Sequence, residues 1–150
     1  MSDEVCWLAW CDGCARPNPG RIGLGALLRA PDGQEYRLSE PGPQQGCNNE
    51  AEALALLATL QRAHALGATC LRVACDSDVV VRLARDASVM EAVRLAPLLA
   101  DIRHEMAKFA QLELKWIPQH RNTQADELAR AALGLPPRAP ARPRRKRHAR

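Results

Sequence analysis

Up to Glu40 the apolar positions fall into short runs, and beyond it they spread into helical stripes. Val5 to Cys11 is almost continuously apolar and ends at Asp12-Gly13, a turn signal. Leu24 to Arg29 and Gln34 to Leu38 follow, with Pro31-Asp32-Gly33 between them, which predicts an antiparallel hairpin. Asn48 and Asn49 then offer N-caps to a broad apolar stripe over Ala51 to Leu66, which Gly67 stops. Cys70 to Cys75 reads as a short buried strand, Asp78 to about Ala87 as a helix, and Glu91 to Phe109 as a further helix bent at Pro97. Leu112 to Ile117 is another strand. After 118–122 a last helix places Ala125, Leu128, Ala129 and Ala132 at i, i+3, i+4 and i+7. Three antiparallel strands joined to βα units predict an α/β domain with a mixed sheet covered by helices.

The 150 residues suffice for one domain with a core. Aromatics are only 3%, so that core must be built from Leu, Val, Ile and Ala. No apolar run approaches the roughly 18 residues of a membrane span. The acidic opening Met1-Ser2-Asp3-Glu4 is unlike a secretory leader, so a cytoplasmic, monomeric protein is expected. The formal net charge of +4 is unevenly placed. Seven of the 21 Lys and Arg residues lie in 135–150, which holds no acid, and the other 14 face all 17 acids. The expected organisation is a folded domain over 1–134 and a disordered, Pro- and Arg-rich tail over 135–150, suited to contact a polyanion.

Six cysteines, Cys6, Cys11, Cys14, Cys47, Cys70 and Cys75, are expected as free and mostly buried thiols. Cys11 and Cys14 could begin a zinc or redox motif, but no second ligand pair stands at matching spacing.

Four acids sit at element ends, each with an ordinary local reading. Asp12 precedes a glycine in a turn-like pair, and Asp76 closes a strand where it could cap the next helix. Glu52 and Asp126 lie three residues after Asn49 and Thr123, where capping-box acids belong. Together they say more. Strand ends and the helix starts beside them converge on one crevice in an α/β sheet. Four carboxylates gathered there repel one another unless a cation neutralises them. An all-oxygen set favours Mg²⁺, with Mn²⁺ as substitute, and two such ions roughly 4 Å apart suit in-line attack of water on a phosphodiester.

These residues also stand in recognisable motifs. Trp10-Cys-Asp12-Gly13-Cys-Ala-Arg-Pro-Asn18-Pro-Gly20, with Gly23-Leu-Gly25, resembles the opening of type 1 ribonucleases H. Asn48-Asn49-Glu-Ala-Glu52 is similar to that family's helix start, Cys75-Asp76-Ser77 to its strand end, and His120-Arg-Asn122-Thr-Gln-Ala-Asp126 to its closing loop and helix. The resemblance runs in order from about residue 5 to 133. It implies a ribonuclease H-like fold with a five-stranded mixed sheet, three strands antiparallel and two parallel. It also implies an enzyme that cleaves the RNA strand of an RNA–DNA hybrid, leaving 5′-phosphate and 3′-hydroxyl ends. Asp12, Glu52, Asp76 and Asp126 would hold two Mg²⁺ ions when substrate is bound. Asn18, Asn48 and Asn49 would contact the minor groove, where 2′-hydroxyls mark RNA. Asn122 would lie near the scissile phosphate, and His120 would assist proton transfer or product release.

Two departures from the family pattern stand out. Cys47 occupies the place where many relatives carry a phosphate-binding Thr. Ser88 to Pro97 has one Arg (Arg94) and no aromatic residue, so the basic handle helix of many bacterial relatives is missing. The basic tail is expected to take over its phosphate contacts. A hybrid-binding module without catalysis and a zinc or thiol protein built on Cys11 and Cys14 are the competing readings.

Overall fold

The computed structural model describes residues 5–86 and 94–139. The acidic opening, the start of the helix predicted from Glu91 and most of the basic tail therefore lie outside the described residues. Five strands, β1 (Trp7–Arg16), β2 (Arg21–Arg29), β3 (Glu35–Pro41), β4 (Cys70–Cys75) and β5 (Gln111–Trp116), form one sheet in the order β3-β2-β1-β4-β5. β1, β2 and β3 pair antiparallel, while β4 joins β1 and β5 joins β4 in parallel. This is the mixed sheet expected from the sequence.

Four helices, α1 (Asn48–Ala65), α2 (Asp78–Arg85), α3 (Ala96–Met106) and α4 (Thr123–Ala132), complete the described fold. None is long and apolar enough to cross a membrane. Pro97 does not bend a long helix as predicted. It sits in the first turn of α3, where its missing N–H leaves no intrahelical bond unmade. The core joins Leu28, Leu71 and Val73 of the sheet to Leu56 and Leu60 of α1, Leu83 of α2 and Ile102 of α3. Each such side chain contributes about 1.5–3 kcal/mol when fully buried.

Glycines decide how closely the helices approach. A Cβ on Gly13 of β1 would lie 2.1 Å from the Ala51 carbonyl oxygen, so α1 rests directly on that strand. A Cβ on Gly25 of β2 would lie 2.3 Å from the Ala129 amide, so α4 does the same on the opposite face. Asp12 is the register partner of Gly25 and shares its face, while Cys11 and Gly13 turn toward α1.

The cysteines depart from expectation. Cys6 and Cys70 form a disulfide across 64 residues of sequence, with their Cα atoms 4.6 Å apart. The cause is register. Trp7 pairs with Leu71, which sets the preceding residue of each strand side by side. Cys11, Cys14 and Cys75 are buried free thiols, and Cys47 is a half-buried one.

A candidate metal centre where the parallel pairing ends

The parallel pairing of β1 with β4 ends at Cys11 opposite Cys75, which brings the next residues, Asp12 and Asp76, to adjacent positions. Asp12 is not at a strand end, as its Asp-Gly pair predicts. β1 runs on to Arg16 because β2 continues to pair with it past the end of β4. Its Oδ1 accepts a hydrogen bond from the Gly13 amide at 3.0 Å.

None of the other three acids does the capping that the sequence assigns to it, and at α1 and α2 a neighbour does it instead. Ser77 caps α2, its hydroxyl accepting from the Val80 amide at 3.2 Å, which leaves the Asp76 carboxylate to the crevice. α1 starts at Asn48 after the cap residue Cys47, whose amide donates to Glu50 Oε1 at 3.3 Å. Glu50 is thus the box acid and Glu52 is spare. α4 starts at Thr123 with Asn122 as its cap, and the Asp126 carboxylate accepts from Arg138 Nε at 3.0 and 3.2 Å.

Carboxylate oxygens of Asp12, Glu52 and Asp76 lie within 4.8 Å of one another, the one such grouping of three ligands among the described residues. Asp126 lies outside that tight group, turned to Arg138. Burial pushes the Asp12 carboxyl up to about 7, helped by the charges of Asp76 and Asp126 and opposed by a hydrogen bond with Glu52. Burial and the charge of Asp12 hold Glu52 well above the usual carboxylate range. Burial also raises Asp76, against the lowering effect of the Asn122 amide.

A cleft of about 410 Å³ opens over these acids, lined also by Asn48, Asn49, Gln119 and Arg138. Glu52 Oε2 is buried with no hydrogen-bond partner, and every donor in the group is a hard oxygen. Repelling carboxylates with an unmatched lone pair fit a hard divalent cation, Mg²⁺ or Mn²⁺, and do not fit zinc held by thiols.

The remaining predicted residues are placed unevenly. Asn48 is exposed at the start of α1, and its Oδ1 accepts from the Ala15 amide at 3.0 Å. Asn18 Oδ1 in turn accepts from the Asn48 amide at 3.0 Å. Asn122 is buried beneath the acids, its Nδ2 donating to Cys11 O at 2.8 Å and to Asp76 Oδ2 at 3.0 Å. His120 is exposed on the 3-10 turn Gln119–Arg121, and its neighbour Gln119 is the one that lines the cleft. The sequence places Arg138 in the phosphate-contacting tail and gives Gln119 no part, whereas both line the cleft. For Arg138 a signal existed in Gly134 followed by Pro136, a helix stop that reverses the chain.

A protein-family model described as reverse transcriptase-like matches residues 10–132. A ribonuclease H of Pseudomonas paraeruginosa is 30% identical over 92% of this chain and 100% of its own length. A bifunctional protein of Mycobacterium tuberculosis is 33% identical over 81% of this chain, which spans only 34% of that relative. The ribonuclease H1 of the archaeon Halobacterium salinarum superposes with a TM-score of 0.80 at 28% identity, covering 86% of this chain and 98% of that one. A ribonuclease H1 solved in complex with an RNA/DNA hybrid superposes with a TM-score of 0.76 at 28% identity, covering 85% and 96%. A family model matched from Trp10 to Ala132, a ribonuclease H that is 30% identical over its whole length, and the shared fold of a ribonuclease H1 together make this chain a member of the ribonuclease HI family.

Proposed function

We propose that the protein is an endonuclease that hydrolyses the RNA strand of RNA–DNA hybrids, using two divalent cations and leaving 5′-phosphate and 3′-hydroxyl ends. The observation that carries this reading is the meeting of Asp12, Glu52 and Asp76 within 4.8 Å, with Glu52 Oε2 unpartnered. The relative solved with a hybrid bound supports the substrate class. Bound Mg²⁺ would supply charge stabilisation for the attacked phosphate and a more acidic water. Asp12 within β1 and Asp76 just past the end of β4, side by side, would be the anchors, and Glu52 and Asp126 would complete the set from α1 and α4. Asn122 holds the Asp76 carboxylate in its orientation. Asn48 and Asn49 line the cleft, with Asn18 bonded to the Asn48 amide behind them, and amides that both donate and accept can read a 2′-hydroxyl. The tail beyond Ala139 would add phosphate contacts without sequence preference.

The test is cleavage of a labelled hybrid with Mg²⁺ and with chelator, beside double-stranded DNA and double-stranded RNA. Asp12→Asn should fold and lose nearly all cleavage, because an amide does not carry the charge that holds the ions. Activity within about tenfold of wild type, only about 1.4 kcal/mol of barrier, would sink the assignment.

A further inference from the structure

After α4 the chain turns back on itself. Gly134 takes a left-handed φ of +73°, its amide donating to Ala131 O at 3.0 Å, and the Leu135 amide donates to Arg130 O at 3.0 Å. Arg130 Nε then clasps Pro136 O at 2.8 Å. Leu135 and Pro137 lie in a groove with Gln124 and Leu128 of α4. This built reversal returns the chain to the level of the first turn of α4, where Arg138 meets both oxygens of Asp126.

We propose that Arg138 is a resident counter-ion of the acid centre, holding Asp126 while no divalent cation is bound and yielding it when one arrives. The inference rests on the metal-dependent reading above, which makes Asp126 a ligand. The two partners differ in a telling way. The Asp126 side chain is 6% exposed, and that of Arg138 is 48% exposed. A buried carboxylate without a cation is costly, whereas a half-exposed guanidinium returns to water cheaply. The pair therefore persists in the metal-free protein and gives way to a doubly charged competitor. Arg138 raises the concentration of Mg²⁺ needed to fill the site, and filling releases the start of the basic tail from the cleft.

The test is a Mg²⁺ titration of the full chain without nucleic acid, followed by the rise in melting temperature. Arg138→Gln should bind Mg²⁺ about fivefold more tightly than wild type, the scale of one charge-assisted pair. Arg138→Lys, which keeps a cation at the same reach, should stay near wild type. Melting curves in chelator show that both variants fold. Unchanged or weaker Mg²⁺ binding by Arg138→Gln overturns the proposal. Tighter binding in a protein that leaves hybrids uncut overturns the nuclease reading alone. Unchanged binding in a protein that cuts them overturns this inference alone.

Discussion

Asn122 and Asp76, separated by 46 residues in sequence, meet at 3.0 Å, with the amide Nδ2 donating to the carboxylate Oδ2. The same nitrogen reaches Cys11 O, so one buried side chain ties the start of α4 to the middle of β1 and to the residue that follows β4. Asn122→Ala should cost about 1–3 kcal/mol in urea unfolding, since Cys11 O loses its partner. Cleavage should fall mainly in kcat, with a higher Mg²⁺ requirement and little change in KM. A large rise in KM with kcat preserved would mean that Asn122 acts on substrate instead.

The raised carboxyls set a pH dependence for the metal-free protein. Asp12 is pushed up to about 7 by burial, and Glu52 and Asp76 are raised as well. For acids raised on folding, the stabilising contribution is full below about pH 4 and is lost as pH climbs through the folded value. In chelator, the melting temperature should decline from about pH 5 to about pH 8. Mg²⁺ should restore it, and Asp12→Asn should melt higher than wild type at the alkaline end. A melting temperature that climbs over this interval in chelator would contradict the electrostatics of the site.

Gly25 offers a way to disturb the centre without touching an acid. An added Cβ would sit 2.3 Å from Ala129 N and 2.4 Å from Ala125 O, backbone atoms that cannot swing aside. Gly25→Ala should therefore push α4 outward at a cost of about 1–3 kcal/mol. With α4 go Asp126 and Asn122, so cleavage should drop by more than about tenfold even at saturating Mg²⁺. Full activity in a folded Gly25→Ala protein would show that the position of α4 is not what sets the rate.

Removing residues 140–150 takes away six Lys and Arg residues and leaves Arg138 in place. KM for a hybrid should rise. The salt dependence of binding should flatten by about 0.7 to 0.9 in log–log slope for each phosphate that the tail no longer neutralises. An unchanged KM and slope would leave the tail without a part in substrate binding.

Much of the frame was legible from period and turn residues. The hairpin over β2 and β3, the long α1 and the mixed sheet follow from apolar spacing and from Pro31-Asp32-Gly33. The acids stand out through motifs, but their local readings fail in an instructive way. Asn49 and Glu52 have capping-box spacing, yet the cap is Cys47, two residues earlier, and Glu50 fills that role. A shift of two residues at a helix start separates a structural acid from a spare one, and sequence alone does not resolve it. The disulfide of Cys6 with Cys70 depends on strand register, and the grip of Arg138 on Asp126 depends on a chain reversal. The first is a long-range fact that no local window contains; for the second, Gly134 and Pro136 signal where the helix stops but not which side chain the returning chain meets.

β1 outruns β4, so past Cys11 the edge of β1 that faced β4 has no strand beside it among the described residues. Two asparagine side chains complete that edge instead, Asn122 answering the Cys11 carbonyl and Asn48 answering the Ala15 amide. The amide that the family pattern assigns to reading RNA is thus also a rung of the sheet's missing ladder. An alanine scan of the cleft rim will report scaffold damage and impaired recognition as one number at Asn48. Asn49 lines the same cleft one residue further on, so substrate discrimination is better measured there first.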